Sequence, residues 1–200
     1  LTAVYAAAKE HPIFVLCDEV YRDLIYTDAF ESFHQFSDLR SRIIEVQSFS
    51  KPYAMTGWRV GYLMADRPVK EQLEKIHQYN VVSISSFVQR ACAAALAYDI
   101  SSEREVYRRR RDYVCTRLDS MGLPYFKPQG AFYVFPSIAA FGMDSLSFCS
   151  RMVKEGKLAC TPGSCFGAEG FLRISYCYSD DVLREGMDRM ETFVQMLRSC

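Results

Sequence analysis

The sequence predicts an α/β protein, and three observations lead to this fold class. The uninterrupted apolar run at residues 13–17 is typical of a strand buried on both faces, as in a parallel sheet under helices, and residues 43–47 are predicted to form a second such strand. Segments with helical periodicity follow these strands. Half of the 200 residues are apolar and 24% are charged, which allows one or two globular domains with a sizeable core.

The first hundred residues are predicted to form one domain with three strands. The predicted elements are a helix over residues 2–10, strands over 13–17, 43–47 and 60–65, and helical segments over 69–76 and 86–98. The polar residues Asp18, Tyr21, Ser48 and Lys51 follow strands at their carboxyl ends. In open α/β sheets that edge is where ligands bind, so we expect a ligand site there.

Residues 101–200 are predicted to form a connector helix and a smaller α/β domain. The connector helix runs from Ser101 to about Met121, with Ser101 or Ser102 as its N-cap and Gly122 at the C-cap position. The remaining predicted elements are strands over residues 131–135, 157–161 and 172–176, and helices over about 144–155 and 180–198. The domain division is therefore expected at residues 100 and 101.

Composition narrows the class of function. Lysine plus arginine and aspartate plus glutamate number 24 each, so no net field favours nucleic acid or an anionic membrane. We find neither a membrane-spanning run nor a leader-like start, and we expect a cytoplasmic protein with reduced thiols. The chain starts with leucine, and we expect it to be part of a longer polypeptide. The predicted reduced thiols are Cys17, Cys92, Cys115, Cys149, Cys160, Cys165, Cys177 and Cys200.

The most specific stretch is residues 48–62, which read SFSKPYAMTGWRVGY. Ser48 precedes Lys51 by three positions, and Arg59 follows it by eight. A single lysine in a loop is usually just exposed, with any nearby arginine in a structural ion pair. The complete stretch instead resembles the lysine signature of class I/II aminotransferases, enzymes of fold type I that use pyridoxal 5'-phosphate (PLP).

This resemblance implies roles for the residues of the stretch. Lys51 would carry the cofactor covalently and act in catalysis, which requires a neutral amine and hence surroundings that depress its pKa. The cofactor phosphate would be bound by Arg59, Ser48 and Ser50, because a forked guanidinium and hydroxyl donors suit a dianion.

A second element precedes the lysine by about thirty residues. Asp18 is followed three positions later by Tyr21, in CDEVY. In the resembling family such an aspartate keeps the pyridine nitrogen of the cofactor protonated, and the tyrosine hydrogen-bonds the phenolic oxygen. We therefore assign Asp18 and Tyr21 to the cofactor-binding and catalytic residues. By itself the spacing is weak, since an aspartate after a strand is often only a helix cap.

A third element is Arg173, the single charge in the apolar segment FLRISY. An arginine there is costly to bury unless a carboxylate meets it. The resemblance implies that this carboxylate is the α-carboxylate of the substrate, and the alternative is a structural salt bridge. Gly130, in PQGAFY, is expected where the backbone approaches the substrate, and residues 162–167 resemble a loop near the active-site entrance. The alternative for either segment is an ordinary turn.

The resemblance covers nearly the whole chain and implies fold type I. Residues 1–100 would be part of the large α/β/α domain, and residues 101–200 would include the small carboxy-terminal α/β domain. The implied activity is amino-group transfer between an L-amino acid and a 2-oxo acid, in an enzyme of amino acid metabolism. The wording of residues 55–59 resembles the aspartate/aromatic/alanine-type subgroup. The full-length enzyme is expected to be a homodimer, and these 200 residues alone to be inactive or weakly active.

Two alternatives share these residues. A PLP-dependent carbon–sulfur lyase uses the same scaffold, and an aminotransferase-like domain also serves as the effector part of some transcription regulators. The four arginines at residues 108–111 wrap around a helix beside acidic residues, which favours a solvated face over nucleic-acid binding. The three histidines lack metal-ligand spacing, so no metal is expected.

Overall fold

The protein is described by a computed structural model that covers residues 1–199, so the predicted thiol Cys200 lies outside the described residues. The chain divides into two compact units. The first unit is Leu1–Ser101, and the second begins at Ser102. Within the described chain, no helix combines the length and the apolar character that crossing a bilayer requires.

The first unit contains a three-stranded sheet and three α-helices. Its elements are α1 (Thr2–Glu10), β1 (Val15–Asp18), β2 (Ile43–Ser48), β3 (Gly61–Ala65), α2 (Arg67–Asn80) and α3 (Ser86–Leu96). The strand order is β1-β2-β3, in which β1 and β2 are parallel and β3 is antiparallel to β2. The connection from β2 to β3 contains no crossover helix long enough to return the chain, so β3 runs back along its neighbour.

The prediction that the first strand is buried on both faces is wrong for this chain. Val15 and Cys17 pack against a core cluster that includes Ile43 from β2, whereas Leu16 is 67% exposed. Successive side chains of a strand point to opposite faces, so one face of β1 is covered and the other is open to solvent.

The second unit contains an antiparallel sheet and three α-helices. Its elements are α4 (Ser101–Ser120), which starts at the last residue of the first unit, β4 (Tyr133–Val134), α5 (Ser145–Gly156), β5 (Thr161–Pro162), β6 (Leu172–Ser175) and α6 (Asp180–Arg198). The strand order is β4-β6-β5. The strand predicted over residues 157–161 is reduced to β5. Lys157 adopts a left-handed conformation (φ 51°) at the end of α5, and the backbone of Leu158 still donates to Met152, so these residues terminate the helix.

The ends of α4 show which predicted caps form. The side chain of Asp99 accepts hydrogen bonds from the amide and the hydroxyl of Ser101, at 2.9 and 2.6 Å, so Asp99 caps this end rather than a serine side chain. At the other end, Gly122 has φ +62°, and the amide of Leu123 donates to Leu118 at 3.0 Å. The predicted glycine C-cap is confirmed.

The core of the second unit lies between its sheet and the helices α5 and α6. Phe148 of α5 and Phe193 of α6 are 1% and 2% exposed, and their rings meet edge to face at 5.3 Å. Leu172 and Tyr176 fill the same interior from the segment of β6 and are fully buried. Arg173 and Ser175 alternate with them on the other face of β6.

Candidate active site

The carboxyl ends of β1 and β2 place two predicted site residues on one face of the first sheet. Asp18, the last residue of β1, is paired with Val46 of β2. Ser48 lies two residues beyond Val46 on the same strand and therefore points to the same face as Asp18. Because the strands are parallel, both ends lie at the same edge, as the sequence predicted.

Asp18 leads into a tight turn that carries Tyr21. Its carboxylate accepts a long hydrogen bond of 3.3 Å from the amide of Val20, and the amide of Leu24 donates to the carbonyl of Tyr21 at 2.9 Å. Asp18 thus has the local capping contact expected of an ordinary aspartate after a strand, but that contact is weak and its side chain stays exposed. Tyr21 is half-buried.

The loop that follows β2 contains Lys51 and is closed by backbone contacts. The amides of Phe49 and Met55 donate at 3.3 Å, to Val60 and to Phe49 respectively. The side chains of Phe49, Met55 and Val60 form a small buried core with Cys92 of α3. Lys51, which is half-buried, is therefore presented by a loop with its own packed interior.

Two non-glycine residues of this loop adopt the left-handed conformation. Ala54 and Arg59 both have φ near +53°. Such conformations cost free energy and persist where surrounding structure enforces them, frequently at ligand sites. Gly61, directly after the loop, is also required, because a Cβ there would lie 2.5 Å from the carbonyl oxygen of Gln47. The backbone, like the side chains, marks this loop as specialised.

Arg59 and the two serines form a donor set that fits a phosphate. The guanidinium of Arg59 donates to the carbonyl of Thr56 at 2.9 Å, and it makes no ion pair with any residue of the described chain. The hydroxyl of Ser48 accepts from the amide of Ser50 at 3.1 Å, which leaves its proton available to another acceptor. An exposed guanidinium without a carboxylate partner suits a dianionic ligand, so these residues fit the phosphate of PLP.

Behind Asp18, on the covered face of the sheet, lies a buried charge network that sequence reasoning missed. Glu45 of β2 is fully buried, and its Oε1 accepts from Arg22 at 3.0 Å and from Gln47 at 2.7 Å. Glu19, which is 7% exposed, accepts from the hydroxyl of Ser32 at 2.7 Å and contacts Arg22 at 3.5 Å. Arg22 therefore connects the turn that carries Tyr21 to the strand that leads to Lys51.

The network also includes His34. Its Nε2 lies 2.6 Å from Oε2 of Glu45, although the two groups are not aligned as a hydrogen bond. An alternating pattern of isoleucine, glutamate, valine and glutamine in β2 was the available signal, since a strand with one buried face must either expose or pair such groups.

In the second unit, Arg173 lies in β6, opposite Thr161 of β5. Its guanidinium carbon is 4.6 Å from the ring centroid of Tyr133 and 4.2 Å from that of Phe166. None of the residues that the structure describes offers it a hydrogen bond or a carboxylate. The structural salt bridge considered as an alternative is therefore not found among them.

Arg173 faces an open cavity of about 540 Å³ within this unit. The polar groups in its wall include Thr161, Ser175 and Tyr178. The nearby loop over residues 163–166 is held by Gly163, whose amide donates to Phe171 at 2.9 Å. A side chain at Gly163 is excluded, since a Cβ would lie 2.1 Å from the carbonyl oxygen of Ala168.

The other predicted residue of this unit, Gly130, is half-buried in the segment before β4. The left-handed conformation in this segment occurs at the next residue, Ala131, with φ 58°. Sequence reasoning had singled out both loops but missed that Tyr133 and Phe166, one from each loop, meet at Arg173. Contacts between residues so far apart along the chain have no local pattern.

The arginine run is not the uniformly solvated face that was predicted. Arg110 pairs with Asp180 at 2.8 Å, and Arg111 is only 8% exposed, with hydrogen bonds to Asp112 and to the carbonyl of Pro128. Arg108 contacts Glu105 on the same helix. Most of the run is therefore neutralised by its surroundings, which does not favour a nucleic-acid surface.

Comparisons with known proteins place the chain in a family. The family model described as "Aminotransferase class I and II" matches residues 1–190. A probable N-acetyl-LL-diaminopimelate aminotransferase of Bacillus subtilis is 43% identical over 97% of this chain and 50% of its own length. An aspartate aminotransferase of Pyrococcus abyssi is 43% identical over 92% of this chain and 49% of its own length. The chain thus spans about half the length of the curated relatives it matches.

Solved structures agree with these matches. The aromatic aminotransferase of Pyrococcus horikoshii matches 98% of this chain and 55% of its own, with a TM-score of 0.94 and 39% identity. The aspartate aminotransferase of Thermotoga maritima matches with a TM-score of 0.90 and 37% identity, over 95% of this chain and 50% of its own. The chain belongs to the class I and II aminotransferase family, which confirms the predicted fold class. Members of this family depend on PLP, the cofactor predicted from the sequence.

Proposed function

We propose that the polypeptide containing this chain is an aminotransferase that moves an amino group between an L-amino acid and a 2-oxo acid. The observation that carries the proposal is the family match over residues 1–190, which includes the Lys51 loop and Arg173. The relatives and solved structures described above are all named aminotransferases. Nothing among them favours the carbon–sulfur lyase or the transcription regulator.

Three residues of the first unit are proposed to act on the cofactor and the reacting carbon. When bound, PLP supplies an electron sink that makes the Cα proton of an amino acid acidic. Lys51 Nζ would hold the cofactor covalently until the amino group of the substrate takes its place, and the freed amine would then accept the proton from the substrate Cα. The Asp18 carboxylate would hold a proton on the ring nitrogen, and the Tyr21 hydroxyl would donate to the phenolic oxygen.

The phosphate of the cofactor is proposed to be bound by Arg59, Ser48 and Ser50. The support is that the Arg59 guanidinium has no acidic partner among residues 1–199, that Ser48 is the last residue of β2, and that Ser50 follows it in the loop. A fork of N–H groups with hydroxyl donors recognises a phosphate dianion well.

The α-carboxylate of the substrate is proposed to bind Arg173, with Gly130 allowing close approach of the backbone. The support is that the described residues provide no carboxylate for this half-buried guanidinium, which faces a cavity. A substrate carboxylate would supply the missing counter-charge through two parallel hydrogen bonds.

The oligomeric state and the cellular location are also part of the proposal. We expect a homodimer in amino acid metabolism, of the aspartate/aromatic/alanine type, located in the cytoplasm, where its cysteines stay reduced. The cysteines from Cys17 to Cys177 are free thiols, which is consistent with a reducing compartment. The matched relatives are about twice as long, so we expect residues 1–200 alone to have little or no activity.

Substitution of the lysine tests the proposal. In the holoenzyme, Lys51→Ala should remove the visible absorbance of covalently bound PLP and nearly all turnover. Borohydride treatment of the unsubstituted protein should leave a phosphopyridoxyl adduct on the peptide that contains Lys51, detected by mass spectrometry. The matched control is Lys70→Ala, since Lys70 lies on the surface of α2, where it pairs with Glu74. An adduct elsewhere, or full activity of Lys51→Ala, would refute the assignment.

Product analysis tests the type of reaction. With an amino acid and a 2-oxo acid supplied together, the amino group should appear on the second carbon skeleton without release of ammonia. Formation of ammonia and pyruvate from a sulfur-containing amino acid, without a new amino acid, would contradict amino-group transfer.

A further inference from the structure

We infer that Tyr133 and Phe166 are positioning residues that hold the guanidinium of Arg173 ready for a carboxylate. This inference rests on the proposed role of Arg173 as the binding group for the substrate α-carboxylate. It adds that affinity for the carboxylate depends on two aromatic rings that offer it no charge themselves.

The first observation is the way in which the rings surround the cation. Both ring centroids lie within 5 Å of the guanidinium carbon, at 4.6 Å for Tyr133 and 4.2 Å for Phe166. The ring of Phe166 is in turn contacted edge to face by that of Phe135. A guanidinium attracts the faces of aromatic rings and keeps its N–H groups at its edge.

The second observation is that the N–H groups at the edge of the Arg173 guanidinium have no hydrogen-bond acceptor among the described residues. An arginine has five N–H donors, and for Arg173 none of them has an acceptor within residues 1–199. Elsewhere in the same unit, Arg117 and Arg110 bind carboxylates at 2.7 to 2.9 Å. Arg173 is thus fixed by its faces, while its hydrogen-bonding edge is left for a ligand.

The fold explains why these two rings reach Arg173. Tyr133 is opposite Ser175 in the β4 and β6 ladder, which makes it the diagonal neighbour of Arg173, a distance that an aromatic side chain spans. Phe166 ends the short helix that Gly163 begins, and Phe135 meets its ring edge to face at 5.5 Å. Tyr133 is thus held by the ladder of β4 and β6, and Phe166 by its short helix and the ring of Phe135.

The physical benefit is preorganisation. A long charged side chain that must be immobilised when a ligand binds loses affinity, typically about 2- to 10-fold for one side chain. Rings that already restrict Arg173 remove this loss and exclude water from the faces of the cation. A positioning role therefore predicts weaker carboxylate binding when a ring is removed, with the chemical step largely preserved.

The test compares single substitutions in the holoenzyme. Tyr133→Leu and Phe166→Leu should each raise KM for the amino acid and the Kd of a non-reacting carboxylate by about 2- to 10-fold, with a smaller change in kcat. The probes are succinate and 3-phenylpropionate, with their uncharged amides as comparison, measured by calorimetry. Binding of the amides should not change, because they make no charge contact with Arg173. Tyr133→Phe, which restores the ring, should recover most of the loss.

The matched control is Phe135→Leu. Phe135 contacts the ring of Phe166 but makes no cation–π contact with Arg173 in the described chain, so its loss reports the effect of a smaller side chain in the same region. Its effect on the ratio of carboxylate to amide affinity should be below that of either ring variant.

Arg173→Leu separates this inference from the proposed function. If Arg173→Leu abolishes the preference for carboxylate over amide while both ring variants keep it unchanged, the positioning role is refuted and the role of Arg173 stands. If Arg173→Leu itself leaves the preference intact, the assignment of Arg173 as the carboxylate-binding group fails, and this inference fails with it.

Discussion

The two units of the chain bury their sheets in different ways. In the first unit, one face of the sheet is buried and includes the carboxylate of Glu45. The other face is open to solvent, and Leu16 on it is 67% exposed. In the second unit, the inner face of β6 carries Leu172 and Ile174, and α5 and α6 complete an apolar core. The sheet of the second unit is thus covered by an apolar core of its own, whereas the sheet of the first unit has one face open to solvent.

The two kinds of buried contact, apolar packing in the second unit and ion pairs in the first, contribute differently to the free energy of folding. A buried apolar core contributes through area removed from water, roughly in proportion to that area. A buried network such as Glu45 with Arg22 contributes little net stability, but it is costly to break because a charge is left without its partner. We therefore expect truncations in the second unit to have the largest effects, and charge changes in the first unit to have smaller but specific ones.

The largest effect is expected for Phe148→Ala in α5. The side chain is 1% exposed, so its loss creates a cavity against Phe193 and should lower the free energy of unfolding by about 3–5 kcal/mol. Denaturant unfolding followed by fluorescence or circular dichroism measures this change. Leu146→Ala is the control, since Leu146 is on the same helix and 62% exposed, and its change should stay within about 0.5 kcal/mol. Equal effects would contradict the packed core described for this unit.

Alanine substitutions at Gly163 and Gly57 compare how tightly the backbone is packed in one loop of each unit. Gly163→Ala places a Cβ 2.1 Å from the Ala168 carbonyl oxygen, so the backbone must move, and we expect a loss of about 1–3 kcal/mol. Gly57→Ala in the Lys51 loop meets no atom within 4 Å and should be close to neutral in stability. Thermal unfolding of both variants measures the difference, and a Gly163→Ala variant as stable as the parent would show that the loop has room to move.

The buried charges of the first unit are tested with Arg22→Met. This change leaves the carboxylate of Glu45 without its guanidinium, and we expect a loss of about 1–2 kcal/mol, reduced by the partial exposure of Arg22. Adding Glu45→Met should recover part of it, because the unpaired charge is then removed. Lys70→Met breaks the exposed pair with Glu74 and should cost under about 0.5 kcal/mol. Additive losses for Arg22 and Glu45 in chemical denaturation would argue against a coupled pair.

The smallest effect concerns pH and the second unit. Backbone amides of Gly170 and Ser145, at 2.8 and 2.6 Å, hold the pKa of Glu169 below its usual value. A lowered folded-state pKa means that the stabilisation is present above the unfolded pKa of about 4.3 and is lost as pH falls through the folded pKa. The Tm of Glu169→Gln should therefore be lower than that of the parent near neutral pH, and the two should converge in acid.

Glu185→Gln is the control for this pH series. Glu185 pairs with Arg189 on the surface of α6, and no backbone amide among residues 1–199 donates to it, so its substitution should change Tm little at any pH. A Glu169→Gln difference that persisted unchanged at about pH 3 would show that the hydrogen bonds do not depend on the charge of the carboxylate.

Much of the secondary structure could be predicted from the sequence. The helix boundaries at α5 and α6 and the glycine cap after α4 follow from periodicity and capping residues, which act within a few residues. The Lys51 stretch was recognised as a continuous motif. The strand predicted at residues 157–161 was mostly wrong, because local apolar content does not reveal that Lys157 ends a helix in the left-handed conformation.

The sequence by itself determined the family, the cofactor and the positions of the candidate site residues, because these depend on side chains at fixed spacing. Only the tertiary structure decided what surrounds them. The rings of Tyr133 and Phe166 meet Arg173, and Glu19 and Glu45 share Arg22, through contacts between segments distant along the chain. Strand pairing and loop closure create such contacts, and neither leaves a local pattern in the sequence.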